Sequence, residues 1–262
     1  MSDNLDDVRR IAQESGNSFH ARVLTFLQQQ GWTVQISPYY SDNLSGKPRE
    51  IDLLAEKIFP AAKNGFGEVT SHLSVKLFIE CKYIKQPTVF WFHNQDVRAT
   101  LNLLEMTSPL GRTNTYMREH HYLRSPGERT AKLFSGPNVG ATEGEQIFKA
   151  LSQNLNALIA LRNASPIVPD AEMRDIELTV SYPVIACSAF DCFYRVEIEN
   201  DKDDPAPLTE EFLLEVNYAY PNTAGNNISE FFLIDICPFD RLSNLLGAIE
   251  GDVAAISVML SD

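Results

Sequence analysis

Asp52, Glu80 and Lys82 are of the types, and at the spacing, that metal-assisted hydrolysis uses. Glu80 and Lys82 stand two apart in the apolar run Leu77-Phe78-Ile79-Glu80-Cys81-Lys82-Tyr83. Side chains on a strand alternate faces, so this pair shares one face. Val75, Leu77, Ile79, Cys81 and Tyr83 take the other and read as core. A carboxylate and an ammonium are costly to bury on an apolar strand unless paired or put to use. Asp52 is a second acid in an apolar strand, Arg49–Ala55, sharing a face with Glu50 and Leu54 while Ile51, Leu53 and Ala55 take the other. Sequential strands neighbour each other roughly two-thirds of the time, so Asp52 is expected beside Glu80. Two carboxylates converging from neighbouring strands make a hard oxygen site suited to Mg²⁺ or Mn²⁺. Such an ion polarises a phosphate and acidifies bound water, and a lysine beside it orients the nucleophile or stabilises developing charge. The competing reading is a plain Glu80–Lys82 salt bridge at a sheet edge. The strand order and the helix that precedes it favour the site.

The elements that must position these residues follow from periodicity. Phe19, Val23, Phe26 and Leu27 mark one apolar face of a helix over Gly16–Gln30, stopped by Gly31. His20 lies at the edge of that face, as a core-flanking residue or as a ligand. A further short helix is expected over Asp6–Glu14. Strands follow at Thr33–Tyr39, Arg49–Ala55 and Val75–Ile84, with a turn-rich loop at Ser41–Pro48. The pattern then weakens from Gln86 to Glu145, where Val89–Leu104 could hold a helix. This region contains the one basic stretch, Gly111–Lys132, with Arg112, Arg118, Arg124, Arg129 and Lys132 against Glu119 and Glu128. Tyr116, His120, His121 and Tyr122 are interleaved with it, a mixture that suits phosphate contact and base stacking, or else a solvated surface insertion. His93, His120 and His121 have no partner spacing that points to a site. Ile147, Leu151, Leu155, Leu158 and Ile159 stripe a second helix over Glu145–Arg162, with Gln146, Lys149 and Gln153 beside them. Strand-like runs come at Ile176–Ser188, Cys192–Ile198, Phe212–Tyr218 and Phe231–Cys237, and a short helix at Asp240–Ile249. Pro183 marks the first of those runs as an edge or a bulge. The expectation is one α/β domain over residues 1–262, a central mixed sheet flanked by helices with a basic insertion after the third strand.

Composition narrows the classes. A hydrophobic content of 44% is enough for a real core, and a net charge of −13 argues against binding nucleic acid by bulk attraction, though not against a local basic patch. Cys81, Cys187, Cys192 and Cys237 form no CxxC pair and lie in apolar runs, which reads as reduced thiols in a cytoplasmic setting. The acidic start does not look like a signal peptide, and no apolar run looks like a membrane span. No G-x-S-x-G elbow, Walker loop, Rossmann glycine fingerprint or HExxH occurs.

The first helix with His20, then Glu50-Ile51-Asp52, then Glu80-Cys81-Lys82, resembles the PD-(D/E)xK nuclease superfamily, over residues 16–84 well and 145–160 loosely. Ile51 stands where that pattern often has proline. The resemblance implies a restriction-endonuclease-like fold and a Mg²⁺- or Mn²⁺-dependent nuclease acting on DNA, with RNA as the open alternative, in defence or repair. Asp52 and Glu80 would hold the metal, helped by the Cys81 carbonyl, and Lys82 would be the catalytic lysine. Some branches carry a histidine ligand on the first helix, which would be His20; Glu50, which shares a face with Asp52, is the substitute for it. The implied partners are DNA, a second copy of the chain or a protein that supplies DNA affinity, and no membrane. The rival is a non-catalytic module of the same fold within a larger nucleic-acid-processing complex.

Overall fold

The structure, a computed structural model, describes residues 5, 7, 8, 10, 16–63, 66–108, 110, 114–123, 129–137, 146–168, 176–199, 204–222 and 224–261. The expected helix over Asp6–Glu14 lies mostly outside them. Helix α1 (Asn17–Gln29) leads into the short strands β1 (Thr33–Ile36), β2 (Tyr39–Ser41) and β3 (Pro48–Glu50), then the long β4 (Leu53–Lys63) and β5 (Val69–Lys82). Strand β6 (Thr88–Asn94), helices α2 (Val97–Thr107) and α3 (Asn114–Glu119), strand β7 (Arg129–Ser135) and helix α4 (Gln146–Leu161) come next. Strands β8 (Ile176–Cys187), β9 (Phe193–Glu197), β10 (Ala206–Pro207), β11 (Phe212–Pro221) and β12 (Asn227–Pro238) precede the last helix, α5 (Leu242–Ser261). Among the described residues, ten strands form one mixed sheet in the order β1-β4-β5-β8-β12-β11-β7-β6-β9-β10, and β2 pairs with β3 separately.

Alternation along the central strands divides the core in two. Val75, Leu77, Ile79 and Cys81 of β5 face a cluster with Phe19, Val23 and Leu27 of α1, Leu104 of α2, and Leu245 and Ile249 of α5. Phe78, one residue out of phase, faces the other cluster with Ile147, Leu151 and Leu155 of α4. The expected faces of β5 are therefore present, except that Tyr83 falls past the strand end and is half exposed. The result is a mixed sheet with helices on both faces.

Three expectations change. The 86–145 stretch is no surface insertion. It supplies β6 and β7, which pair antiparallel inside the main sheet, because Phe90 and Phe92 alternate into the α4-side core. The C-terminal segment is one helix of 20 residues rather than a short one. It is also long and apolar enough to cross a membrane by length and composition, yet its Leu242, Leu245, Ile249, Val253 and Ile256 are buried in the core. Finally, the edge expected at Pro183 is an internal one: β8 lies between β5 and β12 in the sheet, but Pro183 itself has no strand partner on the β12 side among the described residues. Pairing of β8 with β12 covers only Val184–Cys187 against Asp235–Pro238. Proline cannot donate a ladder hydrogen bond, and Pro183 stands at the point where this pairing stops.

Asn154 of α4 ties the sheet beside that point. Fully buried, it donates to the carbonyls of Phe78 (2.7 Å) and Val184 (2.9 Å) on adjacent strands. Asn154→Ala should lower stability by about 1–3 kcal/mol, read by chemical denaturation, because it removes two buried hydrogen bonds.

Candidate metal and phosphodiester site

Strands β1–β2 and β3–β4 are the two arms of one kinked hairpin. Ser37 has a positive φ of 47°, and its N–H donates to the Asp52 carbonyl at 2.9 Å. Ile51 donates back to Pro38. The kink breaks side-chain alternation at Asp52. Ile51 packs in the α4-side core with Leu54, whereas Leu53 packs on the α1 side. Asp52 is thus at a bend ahead of β4, not within a continuous strand from Arg49 to Ala55 as alternation implied.

The bend sets Asp52 against the end of β5. Leu53 pairs with Ile79 in the antiparallel ladder, and Asp52 Oδ2 accepts the Cys81 backbone N–H at 2.8 Å. Lys82 Nζ donates to Glu80 Oε2 at 2.7 Å and lies 3.9 Å from Asp52 Oδ2. From α1, anchored by buried Phe19 and by edge-on packing of Phe19 and Phe26 on Phe239, His20 brings Nε2 to 3.4 Å from Asp52 Oδ2. Four residues separated by up to 62 positions therefore meet at one end of the sheet.

Burial differs sharply among them. The Glu80 side chain is 0% exposed, those of Asp52 and Lys82 18% and 19%, and that of His20 27%. Burial pushes the Glu80 carboxyl up to about 8, against the downward pull of the Lys82 ammonium and with a further push from Asp52. Burial alone would lower Lys82, but the charges of Glu80 and Asp52 outweigh it and hold its pKa above the ordinary value. Glu80 Oε1 is buried and has no hydrogen-bond partner among the described residues, so this oxygen could take a cation once the carboxyl loses its proton. Among the described residues, the potential ligand atoms that crowd within 4.8 Å here are those of His20, Asp52 and Cys81. Glu80 is turned toward Lys82 instead, so the ammonium occupies the position between the two carboxylates that the residue pattern reserved for a metal. Cys81 is an unsuitable donor, because burial raises its thiol well above the ordinary value and keeps it protonated. Asp52 and Glu80 are oxygen donors of the kind Mg²⁺ or Mn²⁺ takes, with the His20 imidazole a softer third ligand, but Glu80 would have to turn from Lys82 to join them. Glu50 is exposed on β3, opposite Tyr39.

Among the described residues, the cations of the basic stretch do not form one patch. Arg118 is exposed on α3. Arg129 and Lys132 lie on β7 and are tied to glutamates, Arg129 to Glu197 and Glu199 and Lys132 to Glu215. Arg112 and Arg124 lie outside the described residues. Three of the four cysteines are buried and all are free thiols.

A second polar cluster went unread in the sequence. His121 places Nδ1 against Asp252 Oδ2 (2.5 Å) and Nε2 3.4 Å from Asp235 Oδ1. His120 Nε2 and the Tyr182 hydroxyl also approach Asp252 Oδ2, at 3.4 and 3.1 Å, and the His121 backbone N–H donates to Asp252 Oδ1 at 2.8 Å. His120, His121 and Asp252 are close enough to hold a metal ion. Their hydrogen bonds favour a different state. His120 Nδ1 accepts the Tyr122 N–H at 3.2 Å, which leaves the proton on Nε2, aimed at Asp252. Protons, not a metal, then fill the space around Asp252. The partners are 131 residues apart, so no local spacing could have disclosed the cluster.

No protein-family model, no curated protein and no solved structure matches the chain.

Proposed function

We propose that the chain is a divalent-metal-dependent nuclease of restriction-endonuclease-like architecture, hydrolysing phosphodiester bonds in DNA. The observation that carries this reading is the convergence of Asp52, Glu80, Lys82 and His20 at one sheet end, with a buried and unpartnered Glu80 oxygen. Asp52, Glu80 and His20 would hold Mg²⁺ or Mn²⁺. When bound there, the ion would polarise the scissile phosphate and lower the pKa of a coordinated water.

The chain's own groups supply the rest. Lys82 is held protonated by the two carboxylates, so its role is as a donor: Nζ hydrogen-bonds the attacking oxygen or the developing charge on the phosphate. Glu80 keeps Lys82 in place, and the Cys81 N–H fixes the Asp52 carboxylate. The same contacts would also serve a purely structural ion pair in a non-catalytic module, so metal binding is the deciding test.

Mn²⁺ titration by calorimetry from pH 6 to 8.5 separates the two. The Glu80 proton must leave before the carboxylate can take a cation. Affinity should therefore rise about tenfold per pH unit and level off above about 8. Glu80→Gln should flatten that slope, and Asp52→Asn should abolish binding. Mn²⁺ binding that is absent, or that survives Asp52→Asn unchanged, would leave the structural ion pair as the better account.

A further inference from the structure

Strands β8 and β12 are neighbours in the sheet, yet they pair only at their C-terminal ends. On their outer sides both are fully engaged, β8 with β5 from Ile176 to Cys187 and β12 with β11 from Asn227 to Ile236. Their inner edges, residues 176–183 and 227–234, have no strand partner among the described residues. Between them opens a cavity of about 620 Å³.

The lining identifies what kind of space this is. Leu178, Thr179, Val180, Ser181, Tyr182 and Pro183 all border it. Successive side chains on a strand point to opposite faces, so six consecutive residues can line one cavity only where it runs along the backbone edge. Ile228, Glu230, Phe232 and Leu233 border it from β12. Helix α2 closes one face with Leu103 and Leu104, and the end of α4 closes the other with Leu158 and Arg162. The space is a slot along the unpaired edges of β8 and β12; at one end the Leu233 carbonyl already accepts the Tyr122 hydroxyl (3.5 Å).

We propose that this slot receives an extended peptide segment from a protein partner, inserted as a strand between β8 and β12. Main-chain hydrogen bonds to both edges would supply affinity, as in other strand-addition modes. Each edge of eight residues runs about 25 Å at ~3.3 Å per residue, so it can hold a strand of ordinary length. Alternation sets the preference. Residues of the guest that face α2 meet Leu103, Leu104 and Tyr116, and call for apolar side chains. Those facing α4 meet the Arg162–Glu230 ion pair and the Tyr220 hydroxyl, and call for polar ones. Pro183 bounds the slot, because below it β8 is released from β12.

Selection of a displayed random decapeptide library on the full chain tests this. Enriched peptides should alternate apolar and polar residues. Synthetic versions should slow hydrogen exchange at Thr179 and Ser181, whose N–H groups face the slot, and at the slot-facing amides of 228–233. N-methylation of alternate backbone amides in the peptide should weaken binding by at least ~10-fold, since several main-chain hydrogen bonds are lost together. Ser181→Pro removes an edge donor, since Ser181 shares with Pro183 the side of β8 that faces away from β5, and should abolish binding. Met106→Glu, on a 75% exposed side chain at the slot's α2 wall, keeps the fold and should reduce affinity for the apolar face. The proposal fails if no peptide enriches, if binding is indifferent to N-methylation, or if the slot-facing amides of Thr179 and Ser181 are already as protected in the free protein as those of Ile185 and Cys187, which face β12 in the paired segment.

Discussion

Lys82→Ala should reduce Mg²⁺-dependent cleavage of DNA by at least ~10²-fold while leaving Mn²⁺ binding measurable. The expected size follows from removing one preorganised donor aimed at developing charge, about 2.7–4 kcal/mol of transition-state stabilisation. Lys82 is the only cation within 4 Å of both Asp52 and Glu80 among the described residues. Its loss leaves Glu80 buried with no counter-charge, and the carboxyl answers by holding its proton more tightly. Metal binding in the variant should therefore need higher pH than in the wild type. Asp52→Ala should remove both activity and metal binding, because the carboxylate that meets His20, Lys82 and the Cys81 N–H is gone. Single-turnover cleavage of single- and double-stranded DNA and of RNA, each with Mg²⁺ and with Mn²⁺, reads the effect. Cleavage that proceeds unchanged in both variants would remove the site assignment.

The second large effect lies away from that site. Asp252→Ala should destabilise the fold by about 3–5 kcal/mol, since it strips a buried carboxylate from two imidazoles and a tyrosine. The cluster also sets a pH signature. Burial alone would lower His121, but Asp235 and Asp252 outweigh it and raise the ring to about 10 from an ordinary 6.5. Its stabilisation is complete below about 6.5 and is lost as pH rises through 10. Burial opposes ionisation of Asp252, yet His120 and His121 hold its pKa below the ordinary 3.8. That contribution is present above 3.8 and is lost only as pH falls through the lowered value. The wild type should thus be more stable at pH 6 than at pH 9. Glu80, raised from 4.5 to about 8, acts in the same direction between those values. The diagnostic is therefore the difference between wild type and His121→Gln, measured by urea denaturation at pH 6 and pH 9. That difference should be larger at pH 6. An equal difference at both would mean that His121 is not charged in the folded protein.

Local pattern carried the chain a considerable distance. The period of Phe19, Val23 and Leu27 marks α1, and the alternation around Phe78 marks β5 with both of its faces, because each signal lies within one element and needs no neighbour. The acid and base of Glu80 and Lys82 were conspicuous for the same reason: ionisable groups on a buried strand stand out against their own flanks. The α/β class with helices on both faces followed from the order of such elements.

Tertiary structure decided what no single element could express. The kink at Ser37 and Asp52 reverses the faces of Ile51 and Leu53, and a left-handed serine has no local signature in alternating sequence. Strands β6 and β7 escape a reading based on charge, because the glutamates that neutralise Arg129 and Lys132 come from residues 68 to 83 positions later. The His121–Asp252 cluster and the slot at Pro183 likewise depend on which strands lie side by side. For the site itself, residue types named Asp52, Glu80 and Lys82. Only the packing of α1 against the sheet brought His20 to Asp52, and only burial turned Glu80 toward Lys82 rather than toward open solvent.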